Sequence, residues 1–278
     1  MTEFDVVVIG AGTGGYVAAI RAAQLGLKVA VVEKQNALGG TCLLWGCIPT
    51  KAPLEHAHAL KIAQHASDWG VTGVERPGIN MNQVQSRKDR IVSGLSKGVE
   101  FLFKKNKITW IKGTARLAGS GVVDIFEGET SQLRATKEII VATGSSPRSV
   151  PGITIDHKRI ITSDEAIGLS VVPRSMVILG SGAVGVEFAS IFRRFGSEVT
   201  ILELLPRLVP VEDEAVSAEL LKAFRKQGIT AHTGAKVTGA RVNGDGVDVE
   251  AQLSDGAAQT FRAEYLLVAT GRGPVTTS

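Results

Sequence analysis

Cysteine is scarce in this sequence, with two residues among 278. That scarcity excludes a secreted scaffold built on disulfides, which needs several cysteines. No apolar run reaches the roughly 18 residues of a membrane span. Because Phe4 already opens the first apolar segment, we expect no N-terminal targeting segment. These absences favour an intracellular globular protein with no membrane partner.

Long runs of lysine and arginine are also missing, although the formal net charge is +4. A nucleic-acid surface usually needs a clustered basic patch, so we expect no nucleic-acid partner. No metal site is predicted either. Glycine, by contrast, is abundant at 32 residues, which is typical of tight turns and of backbone that approaches a ligand closely. The chain is long enough for two domains, each with its own core.

An internal repeat is the most informative feature of the sequence. Residues 6–34 align without a gap to residues 176–204, at a constant offset of 170. Each copy contains an apolar run, a G-x-G-x-x-G turn, a helical stretch, a second apolar run and a final glutamate. The aligned landmark residues are Gly10, Gly12, Gly15 and Glu33 in the first copy, and Gly180, Gly182, Gly185 and Glu203 in the second.

This pattern predicts a dinucleotide site in each copy. The apolar runs suit strands that are buried on both faces of a parallel sheet. The first glycine permits a tight turn, the second lets the backbone approach a pyrophosphate, and the third lets the helix pack against the strand. The helix N-terminus offers N–H groups to the phosphates, and the glutamate accepts hydrogen bonds from ribose hydroxyls. A single copy is often only a structural turn, whereas two complete copies predict two bound dinucleotides.

The second halves of the two copies also correspond. Residues 138–144 resemble residues 265–271, and a meander of short alternating segments precedes each. The offset is smaller there, so the first copy carries about 43 additional residues between its glutamate and its meander. We therefore predict an α/β fold with two Rossmann-like dinucleotide-binding domains, the second inserted in the first. The expected bounds are 1–147 for the first domain and 148–268 for the second, with 269–278 returning to the first.

The interval between the first glutamate and its meander is helical in pattern from residue 53 to residue 106. Pro53 is expected to kink the first helix of this stretch. An apolar stripe follows at helical spacing, and its members are Val84, Ile91, Leu95, Val99 and Leu102. A stripe that faces the core is the default interpretation, and a subunit interface is the alternative.

The additional segment begins with both cysteines, in the run G-G-T-C-L-L-W-G-C-I-P-T-K at residues 39–51. Four residues separate Cys42 from Cys47, so on a helix-like turn the two sulfurs could meet as a small-loop disulfide. Pro49 is well placed at a helix start, and the positive end of that helix, with Lys51 nearby, favours the thiolate form. The alternative is a pair of buried structural cysteines.

The cysteine run resembles the redox-disulfide segment of the pyridine nucleotide–disulfide oxidoreductases, most closely in their dihydrolipoamide dehydrogenase branch. Between the cysteines that branch usually has Leu-Asn-Val-Gly, where this sequence has Leu-Leu-Trp-Gly. The resemblance extends over essentially the whole sequence, including both glycine-rich turns. It implies the FAD/NAD(P)-binding type of Rossmann-like fold.

The resemblance implies FAD in the first domain and NAD in the second. The FAD residues would be Gly10, Gly12, Gly15, Glu33, Lys34, Gly40, Thr41, Lys51, Gly113, Ala115, Thr143 and Gly144. The NAD residues would be Gly180, Gly182, Gly185, Glu203, Val237 and Gly271. Glu203 also favours NAD over NADP because a carboxylate repels a 2′-phosphate. The nearby Arg207 opposes this choice, because NADP-specific members of the family have arginines at the 2′-phosphate.

Four catalytic residues follow from the same resemblance. Cys47 would lie against the flavin ring, and Cys42 would be the thiol that exchanges with substrate. Lys51 and Glu187 would form an ion pair beside the flavin and nicotinamide rings. Glu187 stands where the first copy has Val17, and its alternative interpretation is an ordinary exposed helical glutamate.

The implied activity is NAD-linked oxidation of a dihydrolipoyl group carried by a lipoyl domain of a 2-oxo-acid dehydrogenase complex. A homodimer in the bacterial cytoplasm or the mitochondrial matrix is expected for the full-length protein. Members of the family continue into a C-terminal dimerisation domain with a His–Glu pair, which this sequence lacks, so a protein ending at residue 278 should be severely impaired. The alternatives are a mercuric or other disulfide reductase of the family, and a non-catalytic flavoprotein or assembly fragment.

Overall fold

The computed structural model describes residues 1–126 and 131–276. Seven α-helices and one short 3₁₀ helix, Ala66–Trp69, lie in those ranges. The α-helices are α1 (Thr13–Gln24), α2 (Gly40–Leu44), α3 (Cys47–Gln64), α4 (Met81–Lys105), α5 (Ser163–Ala166), α6 (Ala183–Phe195) and α7 (Glu214–Gln227). None of these helices is both long enough and apolar enough to span a membrane.

Sixteen strands lie in the same ranges. They are β1 (Thr2–Ile9), β2 (Val29–Glu33), β3 (Thr109–Lys112), β4 (Thr114–Gly119), β5 (Val122–Phe126), β6 (Ser131–Val141), β7 (Ser145–Pro147), β8 (Ile160–Ile161), β9 (Ser175–Leu179), β10 (Glu198–Glu203), β11 (Thr230–Thr233), β12 (Lys236–Asn243), β13 (Gly246–Gln252), β14 (Ala258–Ala263), β15 (Tyr265–Val268) and β16 (Arg272–Pro274).

The chain forms two compact units. Unit 1 comprises Met1–Pro49, Asp89–Ser146 and the end of the chain from Gly273, and unit 2 comprises Thr50–Lys88 and Pro147–Arg272. Each unit contains one copy of the sequence repeat. The α/β fold predicted from that repeat is confirmed.

Unit 1 is built on a six-stranded sheet in the order β3-β2-β1-β6-β5-β4. The four strands β3, β2, β1 and β6 are parallel, and β4 and β5 add an antiparallel meander. Along β1, Val6 and Val8 pack into one buried cluster while Val7 and Ile9 pack into another. Because successive strand side chains point to opposite faces, the continuous apolar run reflects burial on both faces, as predicted.

Unit 2 repeats this arrangement. Its five-stranded sheet has the order β11-β10-β9-β15-β8 and is parallel throughout, and β12, β13 and β14 form a separate antiparallel sheet. Along β9, Met176 and Ile178 pack into one cluster while Val177 and Leu179 pack into another. The apolar run of the second copy is therefore also buried on both faces.

The predicted helical stretch between residues 53 and 106 consists of two helices, α3 and α4, because α3 ends at Gln64 and α4 begins at Met81. Pro53 lies inside α3 without ending it, although its ring nitrogen cannot donate to the carbonyl of Pro49. In the apolar stripe on α4, Val84 and Val99 are buried. Leu95 and Leu102 remain 44% and 38% exposed, so the core-facing interpretation is wrong for those two positions.

Candidate functional site

The glycine-rich turn of unit 1 requires two of its glycines for packing alone. Gly10 has a φ of +99°, and a Cβ there would stand 2.3 Å from the carbonyl oxygen of Ala142. A Cβ on Gly15 would stand 1.8 Å from the carbonyl oxygen of Gly10. Unit 2 has both constraints as well. A Cβ on Gly180 would stand 2.6 Å from the carbonyl oxygen of Ala269, and a Cβ on Gly185 would stand 2.1 Å from the carbonyl oxygen of Gly180. These four glycines allow the strand, turn and helix to pack closely, whatever is bound.

The middle glycine of each turn is under no such constraint. Gly12 and Gly182 have φ values of −71° and −66°, which any residue adopts. No heavy atom of the described chain stands within 4 Å of a Cβ built on Gly182, and the nearest to one on Gly12 is 3.7 Å away. Each is the N-cap of its helix and makes no side-chain cap. This leaves open space before the helix N–H groups at Gly182 and an ordinary contact with Gly40 at Gly12, and exposed helix N–H groups are what a pyrophosphate site requires.

The glutamate of each copy is held rigidly next to this turn. Glu33 is 8% exposed, and its Oε2 and Oε1 accept hydrogen bonds from the backbone N–H of Ala11 and of Gln35, each at 2.8 Å. Glu203 is 7% exposed and accepts from the backbone N–H of Ser181 at 2.7 Å and of Leu205 at 2.9 Å. Both carboxylates therefore have fixed orientations, as a group that binds ribose hydroxyls requires.

The other predicted FAD residues of unit 1 lie mainly after parallel strands. Gly113 follows β3 and donates its N–H to the carbonyl oxygen of Glu33 at 3.0 Å. Thr143 follows β6, and its Oγ1 donates to the carbonyl oxygen of Val275 at 2.6 Å. Gly144 accepts from the N–H of Val275 at 3.0 Å. Because neighbouring parallel strands end at one edge of the sheet, these residues share the edge that carries the glycine turn.

Four further predicted residues have different surroundings. Lys34 is exposed, whereas Ala115, on β4, packs against a buried cluster. In unit 2, Gly271 follows β15 with a φ of +110°, so it lies at the same edge as Gly180 and Glu203. Val237 lies on β12 and packs against the core.

The cysteine run is packed onto the glycine turn of unit 1. The N–H of Gly39 donates to the carbonyl oxygen of Ala11 at 3.0 Å. A Cβ on Gly40, whose φ is +61°, would stand 2.3 Å from Cα of Gly12. This close approach brings α2, which carries Thr41 and Cys42, next to the space in front of Gly12.

The two cysteines lie on consecutive helices. Cys42 is half-buried on α2, and Cys47 is the exposed first residue of α3. Gly46 permits the tight connection, because a Cβ there would stand 2.8 Å from the carbonyl oxygen of Thr41. Cys47 thus lies at the N-terminal, positive end of the α3 dipole. Pairing of the two sulfurs stays a prediction.

Lys51 and Glu187 form an ion pair in unit 2. Lys51 Nζ donates to Glu187 Oε1 at 2.6 Å, and the two side chains are 54% and 27% exposed. Lys51 lies on α3, one turn after Cys47, and Glu187 lies on α6, which begins at the second glycine turn. Glu187 is therefore paired with Lys51, and the part of this pair in the chemistry stays a prediction.

The ion pair should matter little for folding, because solvent-exposed pairs contribute about 0–1 kcal/mol. Glu187→Gln should lower Tm by no more than roughly 4 °C, as measured by thermal denaturation. Lys222→Met is the matched control, since it removes an exposed lysine that pairs with Glu219 at 3.3 Å. A clearly larger loss for Glu187→Gln than for Lys222→Met would show that the Lys51–Glu187 pair is structural.

Ser181 is a contact of Glu203 that the glycine motif does not identify. Its side chain is fully buried, and its Oγ donates to Glu203 Oε2 at 2.7 Å. The residue aligned with it in the first copy is Ala11. Aligning the two copies of the repeat identifies the position, because Ser181 carries a hydroxyl where Ala11 has none.

Comparison with known proteins agrees with this geometry. The sequence profile of one family, Pyridine nucleotide-disulphide oxidoreductase, matches residues 4–278. The chain is 47% identical over 280 residues to Dihydrolipoyl dehydrogenase 3 of Pseudomonas putida. It is 44% identical over 283 residues to Dihydrolipoyl dehydrogenase of Bacillus subtilis strain 168. The alignments cover 99% and 98% of this chain, but the chain spans only 60% and 59% of those two relatives.

A solved structure is similar as well. The Cu(II) complex of a mutant of the HOCl-induced flavoprotein disulfide reductase RclA from Escherichia coli superposes with a TM-score of 0.84 at 28% sequence identity. It covers 99% of this chain, which corresponds to 58% of the RclA chain.

Proposed function

This chain belongs to the pyridine nucleotide-disulphide oxidoreductase family, and from that premise we propose that it is the nucleotide-binding and redox part of an FAD-dependent, NAD-linked disulfide oxidoreductase. One observation carries the proposal. Each unit has a glycine turn whose middle glycine is not required by packing and a fixed glutamate beside it, and only the turn of unit 1 has a cysteine-bearing helix packed onto it.

FAD is assigned to residues 1–147 and NAD to residues 148–268, with residues 269–278 returning to the FAD domain. The helix N-termini at Gly12 and Gly182 would bind the two pyrophosphates, and Glu33 and Glu203 would accept hydrogen bonds from the ribose hydroxyls. NAD is favoured over NADP because Glu203 is a buried carboxylate. Arg207 also binds Glu214 at 2.5 Å and the carbonyl oxygen of Pro210 at 3.2 Å, so its guanidinium is already engaged.

The chemistry of the chain itself is thiol–disulfide exchange. A substrate thiolate attacks Cys42 of the Cys42–Cys47 disulfide, the bond between the cysteines breaks, and Cys47 leaves as a thiolate at the start of α3. The second substrate thiol then loses its proton to water and, as a thiolate, attacks the substrate sulfur of the mixed disulfide and releases Cys42 as a thiolate. The substrate becomes a disulfide and the cysteine pair becomes a dithiol. The FAD held at the residues of the first domain would supply a two-electron carrier between that dithiol and NAD.

The proposed substrate is a dihydrolipoyl group on the lipoyl domain of a 2-oxo-acid dehydrogenase complex. The similarity to proteins named dihydrolipoyl dehydrogenase supports this choice. For the full-length protein we further infer a homodimer, in the cytoplasm of a bacterium or in the mitochondrial matrix. The RclA similarity favours a different disulfide reductase as the second candidate, and a non-catalytic flavoprotein is the third.

Anaerobic titration of the FAD-loaded chain with NADH tests the proposal. We expect bound flavin in a 1:1 ratio, and we expect reduction by NADH to expose two titratable thiols, one for each of the two cysteines. Flavin binding without new thiols would favour the non-catalytic flavoprotein. A chain that binds neither flavin nor NADH would contradict the proposed function entirely. Turnover of dihydrolipoamide, measured on the full-length protein, separates the first candidate from the second.

A further inference from the structure

The two glutamates beside the glycine turns differ by one hydrogen bond. In both Glu33 and Glu203, each of the two carboxylate oxygens accepts one backbone N–H, at donor–acceptor distances of 2.7–2.9 Å. Glu203 Oε2 accepts a third bond, from the hydroxyl of Ser181 at 2.7 Å. The aligned Ala11 has no hydroxyl to donate, although it is as deeply buried as Ser181.

This extra bond changes what each carboxylate offers to a ligand. A carboxylate oxygen accepts about two hydrogen bonds. Each carboxylate oxygen of Glu33 accepts one backbone N–H and can accept one more hydrogen bond. On Glu203, Oε2 already accepts two hydrogen bonds from Ser181, so only Oε1 can accept one more. Glu33 is therefore able to accept from two adjacent ribose hydroxyls through separate oxygens, whereas Glu203 is limited to one strong acceptor position.

We propose that Ser181 is a positioning residue that weakens the hold of the second site on the ribose. Occupying Oε2 makes the nicotinamide dinucleotide readily exchangeable, while the site with Ala11 holds its flavin dinucleotide in a bidentate manner. The inference rests on the proposed function, because it assumes that a dinucleotide ribose lies at Glu203. It accounts for a difference between two copies whose G-x-G-x-x-G glycines and backbone hydrogen bonds to the glutamate coincide.

Ser181→Ala in the FAD-loaded chain is the test. It should tighten NADH binding about 3- to 10-fold, the range expected for one additional hydrogen bond, as measured by titration of nicotinamide fluorescence. The improvement should vanish with an NADH analogue that lacks the 2′-hydroxyl of the adenosine ribose, because its one remaining hydroxyl already has the available position on Glu203 Oε1. Unchanged or weaker NADH binding would overturn the inference, and so would a tightening that persists with the deoxy analogue.

Ala11→Ser is the reciprocal variant in the first site. It should accelerate release of FAD about 3- to 10-fold, as followed by flavin fluorescence after dilution, and leave NADH affinity unchanged. An unaltered FAD release rate would count against the inference even if Ser181→Ala failed to fold. A wild-type chain that binds no NADH would refute the proposed function, whereas a wild-type chain that binds NADH as tightly as Ser181→Ala does would refute only the role of Ser181.

Discussion

Cys42→Ser and Cys47→Ser are each expected to abolish disulfide exchange while leaving the fold and FAD binding intact. Two sulfurs are needed to form the internal disulfide, and serine oxygen does not replace either of them. The wild-type chain should show no titratable thiol when oxidised and two when reduced. Each variant should show one thiol in both states. The measurement is a thiol titration under denaturing conditions, supported by the mass difference between the oxidised and reduced chains.

The same experiment separates structural from redox cysteines. Two thiols that titrate even after mild oxidation of the wild type would mean that the sulfurs do not pair, and the redox proposal would fail. Alkylation of the reduced, FAD-loaded chain then assigns the roles. Iodoacetamide should modify Cys42 first, because bound flavin would cover Cys47. Faster modification of Cys47 would reverse the two roles and leave the disulfide itself in place.

Gly182→Ala is expected to weaken NADH binding, whereas Gly185→Ala is expected to destabilise the fold. An added Cβ on Gly182 meets no described heavy atom within 4 Å, so Gly182→Ala should fold with nearly unchanged Tm. If the pyrophosphate occupies that space, NADH affinity should fall at least tenfold, which is about 1.4 kcal/mol. A Cβ on Gly185 stands 2.1 Å from the carbonyl oxygen of Gly180, and overpacking of this kind costs about 1–3 kcal/mol. Thermal denaturation and NADH titration of both variants distinguish the two causes.

Gly14→Ala is the control for the glycine comparison. Gly14 lies in the first turn of α1, and a Cβ there also meets no heavy atom of the described chain within 4 Å. Since alanine is the better helix former, Gly14→Ala should be neutral or slightly stabilising and should not alter NADH binding. If Gly182→Ala bound NADH as tightly as the control, the pyrophosphate would not lie at that helix N-terminus.

Much of the fold was predictable because its signals are local. Apolar runs at 6–9 and 176–179 indicate doubly buried strands. The G-x-G-x-x-G spacing indicates a strand, turn and helix, since φ values near +100° at Gly10 and Gly180 are open to glycine and unfavourable for other residues. The repeat then extended the same argument to a second domain. Local rules were less effective on α4, where apolar spacing indicated one buried stripe although Leu95 and Leu102 remain exposed.

The sequence by itself determined the doubled dinucleotide-binding fold, the family and the cysteine run, because each depends on residue types at short, constant spacing. Tertiary structure alone decided which distant groups meet. It packed Gly40 against Gly12 and placed the Ser181 hydroxyl on Glu203. It also formed the Lys51–Glu187 pair across 136 residues, which the family resemblance had implied but residue spacing could not. No local pattern specifies such contacts, since they arise only when parallel strands end side by side and helices pack on the sheet between them.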